Sequence, residues 1–157
     1  MSYALYHVAP AWRALPTDER LAHKQEVGDL WFHWRDRFQV LRTYSLIGMK
    51  ADVDLMFWQA AWELETHHQF AAALRGSQMG PYLIQKHSYL AQTKRSQYID
   101  KHEHADQEGR RARIRAIGKK YLFVYPFVKT REWYLLPKDQ RQTMMDDHIA
   151  VGHRYGS

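Results

Sequence analysis

At 157 residues, with 45% apolar and 14% aromatic composition, the chain is long enough for about one domain with a substantial core. A formal charge of +6 favours an anionic partner, whether nucleic acid, a membrane surface or a ligand bearing carboxylates. Cysteine is absent, which excludes disulfides, thiolate-ligated iron and cysteine-based zinc or iron–sulfur centres.

Tyr3 to Val8 is a predicted aromatic strand, halted by Pro10. Behind Pro16, Thr17 is expected to cap a helix, with Asp18 and Glu19 favourable in its first turn. Val27, Leu30, Trp31 and Trp34 recur at i, i+3, i+4 and i+7, so this helix should bury a Trp-rich stripe. Phe38 to Ile47 reads as a second strand, Gly48 to Asp54 as a turn, and Leu55 to Trp62 as a third strand. Glu63 to Arg75 is a second helix with Leu64, Phe70, Ala71 and Leu74 on its apolar side and Gly76 as its stop. Leu83 to Ser96 completes the set as a bent fourth strand. The order β-α-β-β-α-β predicts an α+β, ferredoxin-like unit over residues 1–99, with two helices on one face of a four-stranded antiparallel sheet.

Residues 100–120 are polar and highly charged, as a connector is, and six of the eleven residues from Arg110 to Lys120 are Lys or Arg. A new strand is then predicted in Tyr121–Phe127, where four of seven residues are aromatic and Val124 is β-branched, so that a largely buried segment is expected. A turn at Lys129 to Glu132 and a helix opening near Pro137 follow. On that helix Met144, Met145, His148, Ile149 and Gly152 recur at spacings of three and four. An imidazole among apolar neighbours that exclude water, with a glycine one turn on, suits an axial metal ligand beneath a flat cofactor. A lone His on an apolar face is nonetheless more often a hydrogen-bonded core or edge residue.

The stretch Tyr125-Pro126, Lys129, Trp133-Tyr134-Leu135-Leu136-Pro137 and Met145-Asp146-Asp147-His148-Ile149-Ala150-Val151-Gly152 resembles the signature of the chlorite dismutase-like family, which includes the coproheme decarboxylases. That resemblance implies haem b or coproheme as cofactor and His148 as the proximal iron ligand. It implies Tyr125 and Lys129 beside a reactive propionate, the phenol being oxidised to a radical and the ammonium helping with the proton. Trp133 would lie near the proximal side of the haem, with Met145, Ile149 and Gly152 along the ligand helix. Tyr134 stands where some members carry a second Trp, which puts radical transfer there in doubt. The family's subunit has two ferredoxin-like halves with haem held in the second. By that pattern the sequence covers the first half and, in residues 121–157, only the opening strand and haem-ligand helix of the second. A homo-oligomer, commonly a pentamer, is also implied.

Other readings stand beside these. Tyr125 and Lys129 can equally be a strand aromatic and a solvated turn residue, and Trp133 a packing residue. In the basic run, Arg113 and Lys120 are candidates for holding porphyrin propionates, although most of that run reads as a solvated linker. Glu63 and His67 at i, i+4, next to His68, could chelate zinc but lack a third ligand at a recognised spacing; His102-Glu103-His104 is a further weak cluster. No Walker loop, dinucleotide fingerprint or Gly-x-Ser-x-Gly elbow occurs. No leader opens the chain and no apolar run approaches about eighteen residues, so a cytoplasmic protein with no membrane partner is expected.

The favoured activity is haem-dependent oxidation, peroxide-dependent coproheme decarboxylation or a peroxidase-like reaction. Chlorite conversion to chloride and dioxygen is the second reading; it needs a distal arginine that the family pattern puts beyond Ser157. A third, of another class, is a basic, non-catalytic ferredoxin-like module binding RNA across its sheet. Against it, YLFVYPFV lacks the RNA-recognition sequence, so nucleic acid is not the favoured partner.

Overall fold

The computed structural model of the protein describes residues 1–93, 114 and 120–155, which fall into two compact units, 1–93 with Ile114 and 120–155. In the first unit the order is β1 (Ser2–Val8), α1 (Pro10–Arg13), α2 (Thr17–Trp34), β2 (Val40–Ser45), β3 (Leu55–Ala60), α3 (Leu64–Gly76) and β4 (Leu83–Leu90). The strands lie in the order β2-β3-β1-β4, and every neighbouring pair is antiparallel. This is the expected ferredoxin-like α+β arrangement.

Strand alternation puts Ala4, Tyr6 and Val8 of β1 into one core with Leu41, Phe57 and Leu83. α2 covers it with Trp34, and Val27, Leu30 and Trp31 pack alongside, so the stripe at i, i+3, i+4 and i+7 faces inward as expected. From α3, Phe70 meets the rings of Trp34, Phe38 and Phe57 edge-on, with centroids 6.1, 5.7 and 5.8 Å away. Such edge-to-face pairs each contribute about 0.5–1.5 kcal/mol beyond area burial. Between β2 and β3, Gly48 takes φ +76°, a conformation that glycine adopts without Cβ strain. The bend expected in β4 is a bulge: Leu5 pairs with His87 but Tyr6 with Gln85, leaving Lys86 unmatched.

Local details differ from the sequence reading. Thr17 is the first helical residue of α2 and makes no capping bond; its hydroxyl instead accepts from Arg20 Nη2 at 3.0 Å. Gly76 ends α3 without entering the left-handed region, and the Ser77 hydroxyl donates to the Leu74 carbonyl at 2.8 Å instead. β4 stops at Leu90, and residues 94–99 lie outside the described residues.

The second unit comprises an irregular run from Tyr121 to Thr130, α4 (Arg131–Leu135) and α5 (Lys138–Tyr155). The strand predicted over Tyr121–Phe127 does not form here, nor is the segment buried: Phe123 is 86% exposed and Phe127 73%. Aromatic content favours a strand only where a partner strand supplies the ladder, and Pro126 has no N–H to give one. The expected turn at Lys129 to Glu132 tightens into α4 from Arg131. Pro137 precedes α5, its carbonyl accepting from Arg141 N at 3.1 Å. Among the described residues no helix is long and apolar enough to cross a membrane.

Candidate functional site

The predicted site residues that are described, Lys120 to Gly152, fall in the second unit. Across the bend made by α4, Lys129 Nζ comes to 3.7 Å from Met145 Sδ on α5 and to 3.7 Å from the centre of the Trp133 ring. Arg141, a turn before Met145, brings its guanidinium carbon to 5.5 Å from the same ring. Two cations thus lie within reach of the Trp133 ring, each such contact being worth about 0.5–1 kcal/mol at an exposed site. Lys129, Trp133 and Met145 are brought together as neighbours, although they are spread over seventeen positions of sequence.

Tyr125 is 75% exposed and packs its ring against Phe127 at 6.2 Å. Tyr134 is exposed and meets Trp133 edge-on at 5.1 Å. On α5, Met145 and Ile149 are half-buried while His148 between them is exposed, and Gly152 lies in the same helix one turn further on. The water-excluding face expected around His148 is therefore not closed: Met144 is exposed too, since it sits about 100° round the helix from Met145. Asp147, adjacent to His148, is exposed, and Asp146 accepts from Gln142 Nε2 at 2.7 Å. Lys120 stands 5.3 Å from the Tyr121 ring; Arg113 lies outside the described residues, as does His102-Glu103-His104.

The residues present include one donor of the kind an iron porphyrin takes. A single accessible imidazole is a suitable nitrogen ligand, and half-buried Met145 and Ile149 flank it with apolar surface. Lys129 and Arg141 supply cations of the sign that carboxylates need.

The other histidine cluster has a different use. His67 is buried, its Nδ1 lying 3.0 Å from Gln59 Oε1 and 3.3 Å from Ser2 Oγ. Burial lowers its pKa, with the N-terminal ammonium and His68 adding to the effect, so the ring is a neutral core group. Among the described residues no three His, Asp or Glu side chains gather as a metal site.

Sequence reasoning missed two polar clusters in the first unit. Asp54 accepts from Val8 N at 2.7 Å and from Arg13 Nη2 at 2.7 Å, with His7 Nδ1 at 2.9 Å. Trp12 Nε1 donates to His23 Nδ1 at 3.2 Å inside the core. Their members are too far apart in sequence for any spacing to reveal them.

The βαββαβ sheet, followed by a Lys-Trp-Met cluster and a histidine-bearing helix, defines an α+β protein of the ferredoxin-like class. The profile of the chlorite dismutase family matches residues 18–157, and the chain belongs to that family, one of haem-dependent enzymes. Among solved structures, chlorite dismutase from Candidatus Nitrospira defluvii with imidazole bound aligns with TM-score 0.82 and 24% identity, covering 98% of this chain and 64% of that one. A double mutant of the Nitrospira enzyme aligns at TM-score 0.79 and 25% identity over 94% of this chain and 62% of the other. A putative chlorite dismutase aligns at TM-score 0.67 and 17% identity over 95% and 62%. The chain thus spans less than two thirds of the length of these proteins.

Proposed function

We propose that the chain binds haem b or coproheme through His148 and serves a haem-dependent oxidation, with peroxide-dependent coproheme decarboxylation as the favoured reaction. In this reading residues 121–157 open a second ferredoxin-like unit, and the protein is a cytoplasmic homo-oligomer. The observation that carries it is the ordered set Tyr125, Lys129, Trp133, Met145 and His148 inside the family match, with Lys129 in contact with both Trp133 and Met145. Haem, when bound, would supply the redox-active iron that reacts with peroxide. His148 would give its imidazole nitrogen to that iron, with Met145, Ile149 and Gly152 beside the ring edge. The Tyr125 phenol can give up an electron and a proton, and the Lys129 ammonium can bind a carboxylate and help to move that proton. Trp133 and Met145 restrict where that ammonium can sit, while Lys120 and Arg113 would meet the remaining propionates.

Chlorite dismutation is the second reading, favoured by the Nitrospira enzyme as a structural relative. Titration with haem and coproheme, followed by the Soret band, tests the common premise. A shift abolished by His148→Ala supports it. No shift, alongside salt-sensitive oligonucleotide binding, favours an RNA-binding module. With coproheme and peroxide, unchanged product from Tyr125→Phe would remove Tyr125 from the mechanism; dioxygen release from chlorite would favour the second reading.

A further inference from the structure

The first unit contains a cleft of about 470 Å³ that the haem reading leaves unused. It opens where β1 and β2 end and β3 begins, beneath the first turns of α2. Val8, Trp12, Leu55 and Met79 make an apolar floor. Thr43 and Ser45 bring hydroxyls from the end of β2, an edge strand, and Arg13, Arg20 and Lys24 stand on the helical side.

These cations are not equivalent. The charge of Arg13 is answered by Asp54 Oδ1 at 2.7 Å, and the other Asp54 oxygen is held by Val8 N and His7. Arg20 uses Nη2 on the Thr17 hydroxyl at 3.0 Å, but its Nε is buried and meets no acceptor among the described residues. Lys24, one turn on, has its ammonium 5.6 Å from the centre of the Trp12 ring. Among the described residues, two cations at i, i+4 thus remain without a carboxylate at the mouth of an apolar cleft.

We propose that this cleft binds a small organic carboxylate with an apolar body. The carboxylate would lie against the Arg20 guanidinium and the Lys24 ammonium, with Thr43 and Ser45 donating hydroxyl hydrogens. The body would lie on Trp12, Leu55 and Met79. A neutral ligand of the same size would leave the charges of Arg20 and Lys24 unanswered, so the site selects for the anion. This inference goes beyond the haem reading and does not depend on it.

Calorimetric titration of the 157-residue chain with octanoate, and with octanol as its neutral counterpart, tests the proposal. Octanoate should bind about tenfold more tightly than octanol, as one charge-assisted contact implies, and added salt should narrow the gap. Arg20→Gln should weaken octanoate about tenfold, and Lys24→Gln less, with octanol affected by neither. Lys24 is exposed, so Lys24→Gln keeps the test decisive should Arg20→Gln unfold. Equal binding of the two ligands, octanoate affinity unchanged in both variants, or no saturable binding of octanoate by about 10 mM would overturn the proposal.

Discussion

Phe70 and Phe127 are the same residue in opposite circumstances. The first is 1% exposed among three other aromatic rings; the second, in the irregular run before α4, is 73% exposed. The contrast extends to their surroundings: residues 1–93 place a four-stranded sheet beneath two long helices, whereas residues 120–155 consist of one irregular run and two helices. Aromatic side chains do not make a core by their number. They need a second layer to close on, and a lone extended segment has none to offer.

The largest effect should come from removing the centre of the closed unit. Phe70→Ala deletes a ring packed against Trp34, Phe38 and Phe57, and should lower unfolding free energy by about 3–5 kcal/mol in a denaturant titration. A loss under about 1 kcal/mol would mean that the neighbouring rings collapse into the space. Backbone crowding comes next. A Cβ added to Gly80 would stand 2.1 Å from the Arg75 carbonyl oxygen, and the 3-10 turn there is fixed by Gly80 N donating to Ser77 O at 2.9 Å. Gly80→Ala should therefore destabilise by about 1–3 kcal/mol, seen as a lower thermal midpoint.

How far these features can be read from sequence depends on their range. β1, α2, β3 and α3 are legible because alternation and the i, i+3, i+4, i+7 recurrence are local patterns that reappear directly as Ala4, Tyr6 and Val8 or Trp31 and Trp34 turned inward. The sheet order follows from the element order and the ferredoxin-like rule. Tyr121–Phe127 misleads because side-chain propensity describes half of a strand and the pairing partner the other half. Within the candidate site, the spacing of Tyr125, Lys129, Trp133 and His148 is visible in the letters. The contact of Lys129 with Met145 depends on the reversal through α4. The cleft draws its walls from β1, α1, α2, β2 and β3, and no window of sequence contains it.

Asp54 gives a smaller and pH-dependent break in the closed unit. Desolvation pushes its carboxyl up, but the Val8 N–H, the Arg13 guanidinium and His7 together outweigh this and hold it below the ordinary value. A carboxyl whose folded pKa is depressed adds stability above its unfolded pKa, near about 4, and loses it as pH falls through the folded value. Asp54→Asn should cost about 1–3 kcal/mol at neutral pH and flatten the acid limb of a stability–pH profile. An unchanged acid limb would show that the two basic partners are solvated rather than coupled to Asp54.

The smallest expected effect is the most informative about residues 120–155. Phe127→Ala removes as many atoms as Phe70→Ala, yet its ring is already mostly hydrated and loses little packing on truncation. Denaturant unfolding of the unliganded chain should change by no more than about 0.5 kcal/mol, as for other exposed positions. The gap of several kcal/mol between the two variants then measures what a closing layer contributes to an otherwise identical side chain. A ligand could supply such a layer. If coproheme covers the aromatic run, the Phe127→Ala penalty should appear in coproheme affinity and in the ligand-induced rise in thermal midpoint, through the linkage between binding and folding. A penalty of about 2 kcal/mol or more without ligand would instead show that Phe127 has a protein partner in solution, and the contrast between the two units would fail at its clearest point.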